Sequence, residues 1–197
     1  MLFRSQVVDV TIELLTRHGE SGLRIEEVQE RTGISKSSLY AAFEDRDGLV
    51  AAALTRIYER YVTESIDAIS RMADEARTAA DLRTGLHTAT RFTQDLARST
   101  ARMDRVAVIA GTRGRPAYAR ALTAAQTRLN DALEAAIASA RDRGIVSSRH
   151  APRVLATFIQ AYTLGRVLGA FDADRPADEQ SQWNTLVDGV IDHLLFD

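Results

Sequence analysis

Between positions 35 and 41 the chain reads Ser-Lys-Ser-Ser-Leu-Tyr-Ala. Three hydroxyls, one ammonium and one phenol fall within about two helical turns. Groups of this kind donate to phosphate oxygens and reach base edges. Helical spacing turns Lys36, Ser37, Ser38, Tyr40 and Ala41 outward and leaves Leu39 and Phe43 to pack inward. The chemistry on offer is recognition of an anionic polymer, without bond making. Catalysis finds no constellation. The chain has no cysteine, which removes disulfides, thiolate nucleophiles and cysteine metal sites together. His18, His87, His150 and His193 are scattered, and no pair has the i, i+3 or i, i+4 spacing of a helical metal site. No glycine-rich phosphate loop follows a strand pattern. No enzyme and no cofactor are expected.

The elements that must position Lys36 and its neighbours are legible. A helix over Ile25 to Thr32 has Ile25 and Val28 inward. Gly33 ends it, and Ser35, a good N-cap, starts a second helix over Lys36 to Phe43. Two short helices meeting at Thr32-Gly33-Ile34-Ser35 form a helix-turn-helix, the arrangement that sets a second helix in the major groove. A preceding helix from about Phe3 to Arg17 ends near Gly19. Asp45 is expected to cap a fourth helix running to about Met72, with Asp47 in its first turn.

The whole chain of 197 residues is 45% hydrophobic, enough for one full core or two small ones. Apolar periodicity is 3.6-like wherever it is clear, and the three prolines each precede a helical pattern. The expected fold is all-α with about nine helices. Later patterns cover Asp81 to Ser99, Ala101 to Ala110, Pro116 to Arg143, Pro152 to Phe171 and Glu179 to Leu195. There is no apolar run of 18 residues, so no membrane span is expected. The opening lacks a signal-peptide core, and a cytoplasmic location is expected.

Charge gives thin support for DNA. The net charge is −2. Residues 1–50 hold six basic side chains (Arg4, Arg17, Arg24, Arg31, Lys36, Arg46). They hold nine acidic ones (Asp9, Glu13, Glu20, Glu26, Glu27, Glu30, Glu44, Asp45, Asp47), a balance of −3. Lys36 is the chain's only lysine. DNA contact must come from a few well-placed groups and should show a shallow salt dependence.

Three blocks in order, VVDVTIELLTRHG, VQERTGISKSSLYAAF and DRDGLV, resemble the TetR family of bacterial transcriptional regulators. The segment from Gly33 to Phe43 carries the family's helix-turn-helix core. The resemblance implies a DNA-reading domain over residues 1–48 and a ligand-binding and dimerisation domain over 49–197. It assigns DNA contacts to Ser35, Lys36, Ser37, Ser38, Tyr40 and Ala41, with Arg46 gripping the backbone at the start of the fourth helix. Leu23 and Arg24 stand where the family has a Thr or Ser cap. Arg24 could replace that residue's phosphate contact but not its capping.

The remainder is expected to hold an apolar effector pocket. Candidate lining is Phe92, Leu96, Met103, Val106, Ile109, Tyr118, Leu122, Leu129, Phe158 and Tyr162, with Arg91, Gln126 and Asn130 as polar anchors. Each of these also reads as ordinary core. The last two helices carry a stripe of Trp183, Leu186, Val187, Val190, Ile191, Leu194 and Leu195, and a small-residue ridge of Ala161, Gly165 and Gly169. They are expected to pair with a second copy; the other reading is packing within the monomer. The resulting expectation is a homodimeric regulator, a repressor, that binds a palindromic operator and is released by a small apolar or amphipathic ligand. In the other reading, a TetR-like ligand- or protein-binding dimer has lost DNA binding.

Overall fold

The computed structural model describes residues 2–197. Among them are nine α-helices and no strand: α1 (Leu2–Gly22), α2 (Ile25–Thr32), α3 (Lys36–Phe43), α4 (Arg46–Glu75), α5 (Ala79–Gln94), α6 (Ser99–Ala110), α7 (Pro116–Asp142), α8 (Pro152–Gly165) and α9 (Glu179–Phe196). Two 3-10 segments, Leu96–Arg98 and Arg166–Phe171, follow α5 and α8. The chain is all-α, as its periodicity requires.

Packing divides the chain into two compact units. The first holds everything up to Tyr61 together with Ala107–Ala125; the second holds Val62–Val106 and Gln126–Asp197. The helices α4, α6 and α7 therefore each begin in one unit and end in the other.

The first unit is built around Val7, Leu14, Val28, Leu39, Phe43, Leu49, Val50 and Tyr118, all buried. Thr11 is also fully buried, and its hydroxyl donates to the Val7 carbonyl at 2.8 Å, so the buried oxygen is satisfied. Tyr118 donates to the Val108 carbonyl at 2.6 Å, and burial pushes its phenol above its ordinary pKa. The first helix does not stop at Arg17. It continues to Gly22 through a kink at Gly19, whose φ of 69° and ψ of 176° are open to glycine. The boundaries of α2 and α3 are those expected. Gly33 takes the left-handed conformation (φ 71°, ψ 12°), and its N–H donates to the Gln29 carbonyl.

The second unit buries Leu82 of α5, Leu129, Leu133 and Ile137 of α7, Leu155 and Ala156 of α8, and Val187, Ile191 and Leu195 of α9. Arg143 donates to the Ala73 and Ala76 carbonyls at 3.0 and 3.1 Å, satisfying the last turn of α4. Two expected helices are shorter than their patterns. The α5 helix ends at Gln94, because Asp95 accepts from Ala97 N–H at 2.8 Å and starts a 3-10 turn. The α8 helix gives way to 3-10 geometry at Arg166, whose guanidinium is held by Glu179.

The start of α5 carries a reciprocal cap. Thr78 accepts from Asp81 N–H at 3.2 Å, and Asp81 accepts from Thr78 N–H at 2.9 Å. A hydrogen bond from the Thr78 side chain foremost, then those from the Thr78 and Arg77 backbone N–H groups, hold the Asp81 carboxyl below its ordinary pKa. Thr78→Ala is expected to cost about 1 kcal/mol. Urea unfolding followed by circular dichroism measures it, and an unchanged midpoint would rule out the cap as a stabilising feature.

Candidate nucleic-acid interface

The reading surface is assembled from the turn outward. Ser35 is extended (φ −65°, ψ 151°), and its hydroxyl accepts from Ser38 N–H at 3.3 Å. The Ser35 oxygen also lies 2.9 Å from Ser37 Oγ and 3.0 Å from Ser38 Oγ. All three serines are exposed. The expected cluster therefore exists, with rotatable hydroxyls beside the free N–H groups at the start of α3.

Lys36 is exposed, with its ammonium 3.7 Å from the Glu26 carboxylate and 5.7 Å from the Tyr40 ring centroid. The Glu26 carboxyl sits below its ordinary pKa, first through a backbone hydrogen bond and then through the nearby Lys36 and Arg24 charges. Arg24 is exposed and extended at the N-cap of α2, with no side-chain cap, as the sequence indicates. Ala41 is exposed and Tyr40 half-buried on the same helix. Leu39 and Phe43 point inward, 0% and 3% exposed. Seven of the eight expected DNA residues thus lie at the surface of α3, its cap and the start of α2.

Arg46 is placed otherwise. Its Nη2 donates to the Glu20 carbonyl, and Nε and Nη2 lie 3.5 and 3.4 Å from the Leu23 carbonyl. Both residues follow the Gly19 kink, and the Arg46 guanidinium ties the end of α1 to the start of α4. Arg4 also has a structural use. It donates to the Ala42 carbonyl at 2.7 Å and stacks over the Phe43 ring at 4.6 Å. Sequence reasoning missed Arg115, whose guanidinium bonds the Glu20 carboxylate and lies 3.3 Å from Asp47 Oδ1. The Glu20 bond chiefly raises its pKa. Nothing local in Gly114-Arg115-Pro116 marks that role.

Residues 7–53 match the family model described as bacterial regulatory proteins, tetR family. Over those residues, which span α2, α3 and the flanking parts of α1 and α4, the chain is similar to the TetR family. No curated protein matches the chain. Solved structures of low identity share the fold over nearly its whole length. A TetR-family transcriptional regulator from Pectobacterium atrosepticum is 18% identical, covering 98% of this chain and 94% of its own, with a TM-score of 0.67. A regulator of the TetR/AcrR family from Thermobifida fusca is 15% identical, covering 95% of each chain, with a TM-score of 0.61. A protein from Saccharomonospora viridis, solved in complex with choline, is 18% identical, covering 98% and 96%, with a TM-score of 0.66.

The remainder distributes its expected pocket residues widely. Tyr118 and Leu122 belong to the first unit; Phe92, Leu96, Met103, Val106, Gln126, Leu129, Phe158 and Tyr162 belong to the second. Within the second, Phe92 and Met103 are exposed, and Arg98 lies over the Phe92 ring at 3.9 Å. Leu129 is core, 1% exposed. Gln126 donates to Asn130 and Gln160 at 3.1 and 2.6 Å, a polar cluster joining α7 to α8. Arg91 lies 2.5 Å from Asp188 and ties α5 to α9. Tyr162 sits 3.5 Å from Thr90 Oγ1, its phenol raised in pKa chiefly by burial.

The expected interface residues split between two faces of α9. Val187 and Ile191 are buried against the unit's own core. Trp183 is turned inward, its indole N–H donating to Gln94 at 2.5 Å. Leu186, Val190 and Leu194 instead line an open groove of ≈ 590 Å³ with Val154, Leu155 and Phe158 of α8. Ala161 and Gly165 are exposed beside it. Gly169 is not part of a helical ridge. It lies against Arg166, where a Cβ would come within 2.5 Å of Nη1.

Proposed function

We propose that this chain is a ligand-responsive transcriptional repressor that binds a palindromic operator as a homodimer. The observation that carries the reading is the exposed donor set on α3. Ser35, Ser37, Ser38 and Lys36 stand at the helix N-terminus with Tyr40 one turn on, mounted on a buried Leu39–Phe43 pair. Functionally, residues 1–48 form the reading head and 49–197 the ligand and dimer domain. Arg24 and Ala41 extend the DNA-facing surface.

Operator binding is measured by fluorescence anisotropy against DNA upstream of the protein's own gene. Lys36→Ala with Tyr40→Ala is expected to weaken it at least about 30-fold, since two well-placed contacts at about 1 kcal/mol or more each sum to at least about 2 kcal/mol. Unchanged affinity would overturn the assignment of α3. A wild type with no affinity for that DNA at low salt would favour the second reading, a TetR-like ligand- or protein-binding dimer that has lost DNA. The acidic head motivates that reading.

Dimerisation is supported by the outer face of α8 and α9. The stretch Pro152–Phe171 has a mean hydropathy of 1.3, and only Leu155, Ala156 and Arg166 within it are buried. Val154, Leu168, Phe171 and Leu186 are each at least 60% exposed. An apolar surface of that kind is suited to a second copy. Two half-sites also need two heads. Leu186→Arg is expected to convert the dimer to monomer in sedimentation analysis; a variant that stays dimeric would place the interface elsewhere.

The effector is a small apolar or amphipathic molecule bound in the second domain. Its binding favours a state in which the two heads no longer match the half-site spacing, which requires different affinities for the two states. The choline complex of the Saccharomonospora viridis protein supports an effector of small size.

A further inference from the structure

Two arginines are buried in the second unit, Arg102 on α6 (6% exposed) and Arg166 after α8 (4% exposed). Buried guanidinium groups are normally paired, because an uncompensated buried charge is strongly destabilising. Arg166 obeys the rule. Its Nη1 and Nη2 donate to the two oxygens of Glu179 at 2.8 and 2.7 Å, and its plane lies over Trp183 at 4.4 Å.

Arg102 does not obey it. Its Nη1 donates to the Thr93 carbonyl at 2.8 Å, a neutral acceptor. Its Nε and Nη2 are buried with no hydrogen-bond partner among the described residues. These two nitrogens form one edge of the guanidinium, the fork that matches the two oxygens of a carboxylate. The nearby acids are engaged elsewhere. Glu179 is held bidentately by Arg166, and Asp95 accepts from Ala97 N–H. Burial first, and then the neighbouring Arg166, pull the Arg102 pKa below its ordinary value.

A second orphaned donor belongs to the same set of elements. Gln94, at the end of α5, is 0% exposed. Its Oε1 accepts from Trp183, which turns the amide so that Nε2 has no partner. Three donor nitrogens on two buried side chains, one of them cationic, are the chemistry that suits an anion.

We propose that Arg102 and Gln94 bind the carboxylate of a small organic acid, and that this acid is the effector. The site stands on its own; only its consequence at DNA rests on the function proposed above.

The test uses the full chain and its single tryptophan, Trp183. Its emission is titrated with octanoate and benzoate, with octanamide as the neutral counterpart and inorganic phosphate as the other anion. Saturable changes are expected with the carboxylates, and binding at least about tenfold weaker for octanamide and for Arg102→Gln. Arg102→Lys, which keeps the charge and loses the fork, guards against a folding defect and is expected to show the same weakening with an unchanged far-ultraviolet spectrum. Equal affinity for octanamide, wild-type affinity in both Arg102 variants, or a response to phosphate alone would each overturn the proposal. Operator release is read separately by anisotropy. A carboxylate that binds through Arg102 without releasing DNA would leave the site standing and overturn its role as effector site.

Discussion

Replacing Phe43 with alanine is expected to remove about 3–5 kcal/mol of stability and to abolish operator binding at physiological temperature. Phe43 is 3% exposed at the end of α3, and Arg4 lies over its ring at 4.6 Å while bonding the Ala42 carbonyl. The substitution leaves a cavity beneath the reading helix and removes the platform on which Arg4 rests. No group proposed to face DNA is altered. Urea unfolding gives the stability, and anisotropy at 10 °C and 37 °C gives binding. A loss below about 1 kcal/mol, or operator affinity unchanged at both temperatures, would show that the helix is held by something other than this ring.

Arg115→Met is expected to loosen the same unit from its other side. Arg115 is 16% exposed and touches acids on α1 and α4 at once. Methionine keeps the apolar stem and leaves Glu20 without its guanidinium. Glu20 is itself 40% exposed, so water takes up much of its charge. The expected cost is about 1–2 kcal/mol, less than for a fully buried pair. A double-mutant cycle with Glu20→Gln separates the pair from other effects of each substitution. Coupling below about 0.3 kcal/mol would mean that the contact contributes no stability.

The parts of the fold that were legible have their causes close in sequence. Gly33 and Ser35 end α2 and begin α3 through their own backbone preferences, and both boundaries stand where the sequence puts them. The departures have distant causes. The change to 3-10 geometry at Arg166 accompanies an ion pair with Glu179, 13 residues on. Arg46, expected at a phosphate, bonds the carbonyls of Glu20 and Leu23, more than twenty residues earlier, and nothing local to Arg46 marks that contact. In α9 the apolar stripe is wide enough to serve two faces. Period alone did not separate Val187 and Ile191, which fill the core, from Leu186, Val190 and Leu194, which line the groove. Apolarity marks the candidate pocket residues, whereas the donors with unmet chemistry, Arg102 and Gln94, are polar.

The membership of Ala107–Ala125 in the first unit bears on how the protein is made. The segment brings Tyr118 into that unit's interior, sets Gly111 against Leu54 and carries Arg115 to Glu20 and Asp47. Synthesis proceeds from the N-terminus, so a chain that has emerged only to residue 61 has its helix-turn-helix but lacks these partners. Some forty-five further residues must leave the ribosome before Ala107 appears, and Ala125 follows later still. The helix-turn-helix unit is thus completed after much of the second unit's sequence is already out, and nascent chains stalled short of that point should be the ones most easily cut by protease.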